Sequence, residues 1–258
     1  MFTNFSAITA EIIEVEHFKE ILSYIDRETL VVLDIDDTLL IPVQMLGCDE
    51  WFMYKLRGHQ SNGKSYMEAL EKSLAEWEGI RHLTEMQIVE SGTEGIIHTM
   101  QGRSFCVMAL TTQGLALATR TTQQLKANQI DLTVTAPSNE DCYLKINRHG
   151  VLYQNGILFT SGMPKGESLF SLCEKIGYVP KKIVFINDKA SHLADMESSA
   201  IQRRVNFIGL RYAFSDVHKA AFSPEIAEIQ FTRSSFAHIL SDDEARSILE
   251  QEYGVEKE

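Results

Sequence analysis

The chain has 258 residues, of which 44% are hydrophobic and 23% charged, and its formal net charge at pH 7 is −12. This composition is ordinary for a globular protein with its own apolar core, so it excludes intrinsically disordered and fibrous classes. An acidic chain without a run of Lys and Arg repels nucleic acid, so we expect no nucleic-acid partner. At about 150 residues per domain, the length predicts one large domain or one domain with an insertion.

The charge pattern near the N-terminus bears on the compartment. Glu11, Glu14 and Glu16 precede the first lysine, Lys19, which is the wrong charge for a secretory signal. No apolar run approaches the roughly 18 residues of a membrane span. The four cysteines form no Cys-x-x-Cys pair and are typical of reduced residues. We therefore predict a cytoplasmic protein, leaving open export by a route without a cleaved signal.

Short apolar runs alternate with amphipathic stripes along the chain. A helical stripe over residues 18–25 comes first, and another over residues 169–176 ends at Gly177, a typical helix C-cap. The apolar runs are typical of buried strands in a parallel sheet, and they cover residues 30–33, 105–110, 183–186 and 205–210. Strands alternating with helices predict an α/β fold with a parallel sheet.

Two stretches interrupt this alternation. Residues 43–102 are predicted to be helical throughout, which is about the size of an inserted cap. Residues 143–160 predict a β-hairpin because Asn155-Gly156 separates two apolar segments. A short helix is predicted over residues 242–249, with Ser241 as its N-cap. The expected organisation is a core of residues 1–42 and 103–258, a small hairpin insert near 143–160, and a helical cap of residues 43–102.

Three acids stand directly after the first apolar run, at Asp34, Asp36 and Asp37. Like charges this close raise one another's pKa and destabilise the fold unless something neutralises them, as a bound divalent cation does. Ligands of open α/β sheets also gather outside the carboxyl ends of the strands. Taken alone, the cluster is more typical of a solvated acidic turn or a helix N-cap than of a metal site.

Further polar side chains follow the other predicted strands. Thr111 and Thr112 follow the second strand, where hydroxyls and free backbone N–H groups suit a phosphate. Lys165 begins a predicted helix, where a positive charge opposes the helix dipole unless it serves an anion. Asp188 follows the third strand, and Asp195 comes further on. Capping or a solvated loop would explain each one alone, but the ordered set of carboxylates, hydroxyl, ammonium and carboxylate is much less expected by chance.

This order resembles the haloacid dehalogenase (HAD) superfamily over about residues 30–210. The matches are Asp34-x-Asp36-x-Thr38 to its first motif, Thr111 to its second, Lys165 to its third, and Asp188 with Asp195 to its fourth. The resemblance implies a Rossmann-like core with an inserted cap, and the pattern looks most like a bacterial branch of HAD phosphatases. Two positions depart from it: Asp37 stands where Gly is frequent, and Asn187 where Gly or Asp is usual.

The resemblance also implies roles for the two acids of the first motif. Asp34 would attack phosphorus and become an aspartyl-phosphate, while Asp36 would protonate the leaving oxygen and later activate water. The dehalogenase branch lacks the second acid, so Asp36 favours a phosphatase or phosphotransferase. Mg²⁺ would be held by the Asp34 carboxylate, the Asp36 backbone carbonyl and Asp188.

The remaining motif residues would hold the phosphate. Lys165 and the second-motif hydroxyl, at Thr111 or Thr112, would bind its oxygens, and Lys165 would also help keep Asp34 ionised. The resulting prediction is a Mg²⁺-dependent phosphatase acting on a phosphorylated small molecule or a phosphoprotein.

Three other functions are possible from the sequence. Residues 58–65 fit the P-loop pattern G-x-x-x-x-G-K-[ST] of NTPases, but Lys55 and Arg57 interrupt the segment where a P-loop needs an apolar strand. A phosphorelay receiver would need a phosphorylated Asp on a middle strand, and no such run is evident between residues 41 and 104. A non-catalytic binding protein on a HAD core is disfavoured because Asp34 and Asp36 are both intact.

Overall fold

A computed structural model describes residues 8–254, so residues 1–7 and 255–258 of the predicted core lie outside the described part. The strands are β1 Ala10–Val15, β2 Thr29–Leu33, β3 Leu40–Pro42, β4 Met86–Ile88, β5 Cys106–Thr111, β6 Cys142–Ile146, β7 His149–Gln154, β8 Ile157–Phe159, β9 Lys182–Asn187 and β10 Asn206–Tyr212. The α-helices are α1 Asp49–Ser61, α2 Tyr66–Leu83, α3 Thr93–Gly102, α4 Ala118–Ala127, α5 Lys165–Ile176, α6 Ala190–Arg203, α7 Asp216–Ala220, α8 Pro224–Arg233 and α9 Asp242–Tyr253.

The described chain divides into two compact units. The core unit contains residues 8–39 and Ile88–Ser215, and the helical unit contains Leu40–Gln87 and residues 216–254. The chain therefore passes between the units three times.

An eight-stranded sheet forms the centre of the core unit, in the order β1-β10-β9-β2-β5-β8-β7-β6. In this sheet the neighbouring strands β1, β10, β9, β2, β5 and β8 run parallel to one another. The β8–β7 and β7–β6 pairs are antiparallel. This mainly parallel, Rossmann-like sheet confirms the predicted α/β fold class. The four apolar runs of the sequence are β2, β5, β9 and β10.

The register of the sheet determines where its carboxyl ends lie. Leu33, the last residue of β2, pairs with Ala109 on one side and Ile186 on the other. All five residues of β2 are buried, as expected for a central strand covered on both faces. The strand ends of β2, β5 and β9 therefore lie side by side, and the residues that follow them share one edge of the sheet.

Some elements of the core unit differ from the sequence prediction. The stripe at 18–25 is a 3₁₀-helix, Phe18–Ser23, rather than an α-helix. The hairpin of β7 and β8 turns at Asn155 and Gly156, both at positive φ, as predicted. Because β8 also pairs with β5, this hairpin extends the central sheet instead of forming a separate insert. The edge strand β1 was not predicted, since its two acids, Glu11 and Glu14, leave only a short apolar pattern.

The helical unit combines two segments that are far apart in the sequence. Gln230 of α8 accepts a hydrogen bond from the Leu46 backbone N–H, and Asp242 of α9 accepts one from Met45. These contacts bring residues 216–254 into the unit, whereas the predicted cap comprised residues 43–102 only. Helix α3, within that predicted cap, instead lies in the core unit, where Gln101 donates to the Asp131 carbonyl.

The C-terminal helix α9 begins as predicted, with Ser241 as its N-cap and the Glu244 backbone N–H donating to the Ser241 hydroxyl. None of the helices within residues 8–254 combines the length and apolarity needed to cross a membrane.

Candidate active site

Asp34 is the first residue after β2 and lies within the core unit. Its backbone N–H donates to the Ile186 carbonyl at 3.0 Å, which extends the ladder to β9 by one residue. Its side chain is buried, and Oδ1 accepts a hydrogen bond from Lys165 Nζ at 2.5 Å. The structure thus brings together two of the predicted site residues as a buried ion pair.

The environment of Asp34 is both dry and negative. Burial raises the pKa of Asp34 to about 7, and the charges of Asp188 and Asp36 add to the increase, while Lys165 opposes it. The free energy of ionising Asp34 therefore depends on how much positive charge stands beside it. Lys165 supplies one such charge.

Lys165 is the first residue of α5, and its side chain is buried along its whole length. Its Nζ also donates to the Leu110 carbonyl at 3.2 Å, at the end of β5. The start of α5 is fixed by Asp195 of α6, whose Oδ2 accepts from the Gly166 backbone N–H at 2.8 Å. Asp195, assigned by resemblance to the fourth motif, thus holds the helix that carries Lys165.

Close packing makes glycine necessary beside Lys165. A Cβ at Gly166 would lie 2.3 Å from the Ser199 hydroxyl oxygen and 3.0 Å from the Asp195 carbonyl oxygen. Helices α5 and α6 therefore cross at a distance that a larger residue would not allow. The close contact between α5 and α6 therefore fixes the position of the first turn of α5, which carries Lys165.

Asp36 lies two residues beyond Asp34 and is held by groups that follow β5. Gln113 Nε2 donates to both of its carboxylate oxygens, at 2.9 and 3.1 Å, and the Thr111 hydroxyl donates to Oδ2 at 3.4 Å. Thr111 is the last residue of β5 and is buried. The sequence prediction missed Gln113, because an isolated glutamine after a strand carries no motif of its own.

The structure distinguishes the two candidate hydroxyls of the second motif. The Thr111 hydroxyl contacts Asp36, whereas Thr112 is half-buried and its backbone carbonyl accepts from the Gly162 N–H. Adjacent residues of an extended segment point to opposite faces, so only one of the two can face Asp36. That residue is Thr111.

Asp188 is the first residue after β9 and is buried. Its backbone N–H donates to the Thr38 hydroxyl at 3.2 Å, which joins the first and fourth motifs. Asp34 and Asp188 each follow one of the two paired strands β2 and β9, so they lie at neighbouring strand ends, and the charge of Asp188 contributes to the raised pKa of Asp34. The site therefore gathers Asp34, Asp36 and Asp188 at one sheet edge.

Both departures from the HAD pattern have a structural role. Asp37 has φ = 58°, the left-handed conformation that glycine adopts readily and aspartate tolerates. Asn187 is fully buried, and its Oδ1 accepts from the Lys189 backbone N–H at 2.7 Å, just before α6 begins. Position 37 thus needs a residue that accepts positive φ, and position 187 a short polar side chain that turns the chain.

The donor set fits a magnesium ion. Asp34, Asp36 and Asp188 share the sheet edge with the buried ammonium group of Lys165. The buried carboxylates of Asp34 and Asp188 outnumber that positive charge, and buried negative charge in excess needs a cation. Within residues 8–254 no group of three or more His, Cys, Asp or Glu side chains is placed to hold a metal ion. Mg²⁺ is commonly held by one or two carboxylates with water and substrate phosphate, so two carboxylates and a backbone carbonyl suit it.

The P-loop pattern of residues 58–65 has a different structure. Gly58 lies inside α1, and the segment ends at Ser65, the N-cap of α2. The Ser65 hydroxyl donates to Glu68 at 2.6 Å and completes a capping box. A P-loop follows a strand, whereas this segment follows a helix, so it does not form a phosphate cradle of that kind.

A family model described as "Protein of unknown function (DUF2608)" matches residues 14–246, so the chain belongs to that family. A Chlamydia pneumoniae protein named "Putative outer membrane protein" is 23% identical over 252 residues, covering 94% of this chain and 91% of its own length. A Chlamydia trachomatis protein of the same name is 25% identical over 234 residues, covering 88% and 86%.

These relatives overturn the predicted cytoplasmic location, because their names place them at the outer membrane. The prediction used charge and apolar run length, which detect a cleaved secretory signal or a membrane helix. Neither property reports the compartment in which a folded protein acts.

Two solved structures resemble this one at low similarity. A HAD-superfamily hydrolase from Geobacter sulfurreducens is 13% identical with a TM-score of 0.42, covering 74% of this chain and 98% of that chain. A hydrolase from Pseudomonas syringae is 17% identical with a TM-score of 0.41, covering 74% and 88%.

Proposed function

We propose that this member of the DUF2608 family is a Mg²⁺-dependent phosphatase that hydrolyses phosphate monoesters through an aspartyl-phosphate on Asp34. The observation that carries the proposal is the buried Asp34–Lys165 pair, with Asp36 and Asp188 at the same edge of the sheet. Buried like charges destabilise a fold, and their collection at strand ends is typical of a site that binds a charged ligand.

Asp34 is suited to be the nucleophile. One of its oxygens would form a bond to phosphorus while the bond from phosphorus to the leaving oxygen breaks. Lys165 stabilises the ionised carboxylate and would also contact the transferring phosphoryl oxygens, whose negative charge it offsets. The Thr111 hydroxyl would hold a second phosphate oxygen, with Thr112 beside it.

Asp36 is suited to be the general acid and base. It would give its proton to the leaving oxygen in the first step, then take a proton from the water that attacks the aspartyl-phosphate. The second step releases inorganic phosphate and returns Asp34 to its starting state. Asp36 is partly exposed, so a substrate and a water molecule can reach it.

Mg²⁺ would be held by the Asp34 carboxylate, the Asp36 backbone carbonyl and Asp188. When bound, it supplies positive charge that offsets the phosphate oxygens and the crowded carboxylates. Asp188 is positioned for this by its backbone hydrogen bond to Thr38. The substrate class we propose is a phosphorylated small molecule or a phosphoprotein.

The test is turnover of a generic aryl phosphate by the purified protein with Mg²⁺, with EDTA, and by Asp34→Asn. We expect hydrolysis that EDTA removes and that Asp34→Asn lowers at least about 1,000-fold, as loss of a covalent nucleophile does in other enzymes. A screen of phosphorylated metabolites and phosphopeptides, with Asp34→Asn as the blank, then identifies the substrate. Wild-type rates in Asp34→Asn would contradict the nucleophile, and no turnover of any ester would favour a binding protein.

A further inference from the structure

Gln113 stands between the proposed acid and helix α4. Its side chain is 3% exposed, and Nε2 donates to both oxygens of Asp36. On the other side, the Thr121 hydroxyl of α4 donates to Gln113 Oε1 at 2.6 Å. A buried amide is therefore inserted between a catalytic carboxylate and a helix that carries none of the predicted site residues.

The chemistry of the three groups fixes which way the amide faces. At most one oxygen of the Asp36 carboxyl group can carry a proton, so at least one only accepts hydrogen bonds. The amide nitrogen lies within 3.1 Å of both oxygens and therefore faces Asp36, while the amide oxygen faces Thr121. Thr121 can donate to that oxygen, so both ends of the amide are satisfied. Rotating the amide by half a turn would place Gln113 Oε1 beside the carboxyl oxygens of Asp36. Two acceptors would then face each other without a hydrogen bond, which costs free energy in a buried site.

Gln113 acts on Asp36 by a second route as well. Its backbone N–H donates to Thr111 Oγ1 at 3.1 Å, and the Thr111 hydroxyl in turn donates to Asp36. Because Oγ1 accepts from Gln113, its hydrogen is left to point at the carboxylate. Gln113 thus supplies one donor to Asp36 and orients a second, the Thr111 hydroxyl.

We infer that Gln113 is a positioning residue for Asp36 and that Thr121 holds the Gln113 amide in the required orientation. The inference rests on the proposed function, since it needs Asp36 to transfer a proton. Gln113 holds the carboxylate at Thr111 before substrate binds, so that a small rotation brings it to the leaving oxygen.

The dependence of the rate on the leaving group distinguishes a positioning role of Gln113 from a purely structural one. An alkoxide needs a proton to depart, whereas p-nitrophenolate departs without one, so misplacing the acid slows the alkyl ester more. The constant to compare is kcat/KM, because it covers the steps up to loss of the leaving group. A general loss of folding would lower both esters by the same factor.

The experiment measures kcat/KM with Mg²⁺ for an alkyl phosphate and for p-nitrophenyl phosphate in four proteins: the wild type, Gln113→Met, Thr121→Val and Thr122→Val. We expect Gln113→Met to lose about 10-fold or more in the ratio of alkyl to aryl rates. Thr121→Val should shift the ratio in the same direction by less. Thr122 is the matched control: its hydroxyl donates to the Ala118 carbonyl of its own helix, so the ratio should stay unchanged.

The outcomes are distinguishable. If the wild type hydrolyses both esters and Gln113→Met keeps the wild-type ratio, the inference is wrong and the proposed function stands. If the wild type hydrolyses neither, both fail. A crystal structure of Gln113→Met gives a readout independent of activity: we expect the Asp36 carboxylate to leave Thr111, and an unmoved Asp36 would overturn the positioning role.

Discussion

Two segments of this chain fit phosphate-binding sequence patterns, and they lie in different structural surroundings. Residues 34–38 follow a fully buried central strand, and their side chains contact Thr111 of β5, Lys165 of α5 and Asp188, which follows β9. Residues 58–65 also fit their pattern at every defined position, yet they join two helices, and Ser65 caps the second. The two segments thus differ in the element that precedes them: the end of a central strand places side chains beside those of neighbouring strands, and the end of α1 does not.

The largest expected difference between the two segments is in phosphatase turnover. Asp36→Ala should lower phosphatase activity roughly 100- to 10,000-fold, since it removes the proton donor and acceptor. Lys64→Ala, at the P-loop lysine, should leave activity at the wild-type level. Steady-state rates of both variants are measured on an aryl phosphate with Mg²⁺. A lower rate for Lys64→Ala than for Asp36→Ala would contradict the assignment of the active site to residues 34–38.

The pH dependence of stability tests whether the first segment is buried as described. The pKa of Asp34 is raised to about 7 in the folded protein, above its ordinary value of 3.8, so between these values the folded state binds more protons than the unfolded state. The contribution of Asp34 to the free energy of unfolding should therefore fall as pH rises from about 4 to about 7. The measurement is urea unfolding in EDTA at several pH values. As pH rises across this window, the free energy of unfolding of Asp34→Asn should increase relative to that of the wild type. A difference that does not change with pH would mean that Asp34 is solvated.

Gly166→Ala tests the crossing that places Lys165. A Cβ there would overlap Ser199, and overpacking of this kind costs about 1–3 kcal/mol. We expect a lower Tm and a loss of phosphatase activity larger than that of a surface substitution of equal stability cost. Gly79→Ala is a suitable control, because a Cβ at Gly79 meets nothing within 4 Å. Equal Tm values for the two variants would show that α5 and α6 can separate freely.

The smallest effect concerns the second segment. Ser65→Ala removes the N-cap of α2 and should lower the free energy of unfolding by about 1 kcal/mol without changing turnover. Ser65→Asp should restore stability, since aspartate is an equally good cap. A role in phosphate binding would show a different pattern: Ser65→Ala would also lower turnover, and Ser65→Asp would not restore it.

Much of the sheet and its site residues could be predicted because apolar runs mark buried strands. The residues after β2, β5 and β9 were found from local sequence, and the structure brings Asp34, Asp36, Thr111, Lys165 and Asp188 to one edge. Gln113 could not be found this way. It acts through a hydrogen bond to Asp36, 77 positions earlier in the chain, and no local pattern encodes such a partner.

The boundaries of the units were harder to predict for a related reason. Helix α3 has the same kind of apolar stripe as α2, but buries it in the core unit. Helices α8 and α9 join the helical unit through side chains such as Gln230 and Asp242, which hydrogen bond to backbone groups almost 200 positions earlier. Amphipathic pattern predicts that a helix has a buried face and does not say which neighbour covers it.

The pairing of β1 with β10 bears on how the protein is made. Thr9 donates a hydrogen bond to Asn206, 197 positions along the chain, and Ala10 lies opposite Phe207. On the ribosome, β1 emerges before β10 and must wait, unpaired, until β10 has been synthesised. Closing so long a loop is slow and entropically costly, and the apolar residues Ile12 and Ile13 stay accessible to chaperones meanwhile. Completion of the sheet is thus a late event in the life of the nascent chain.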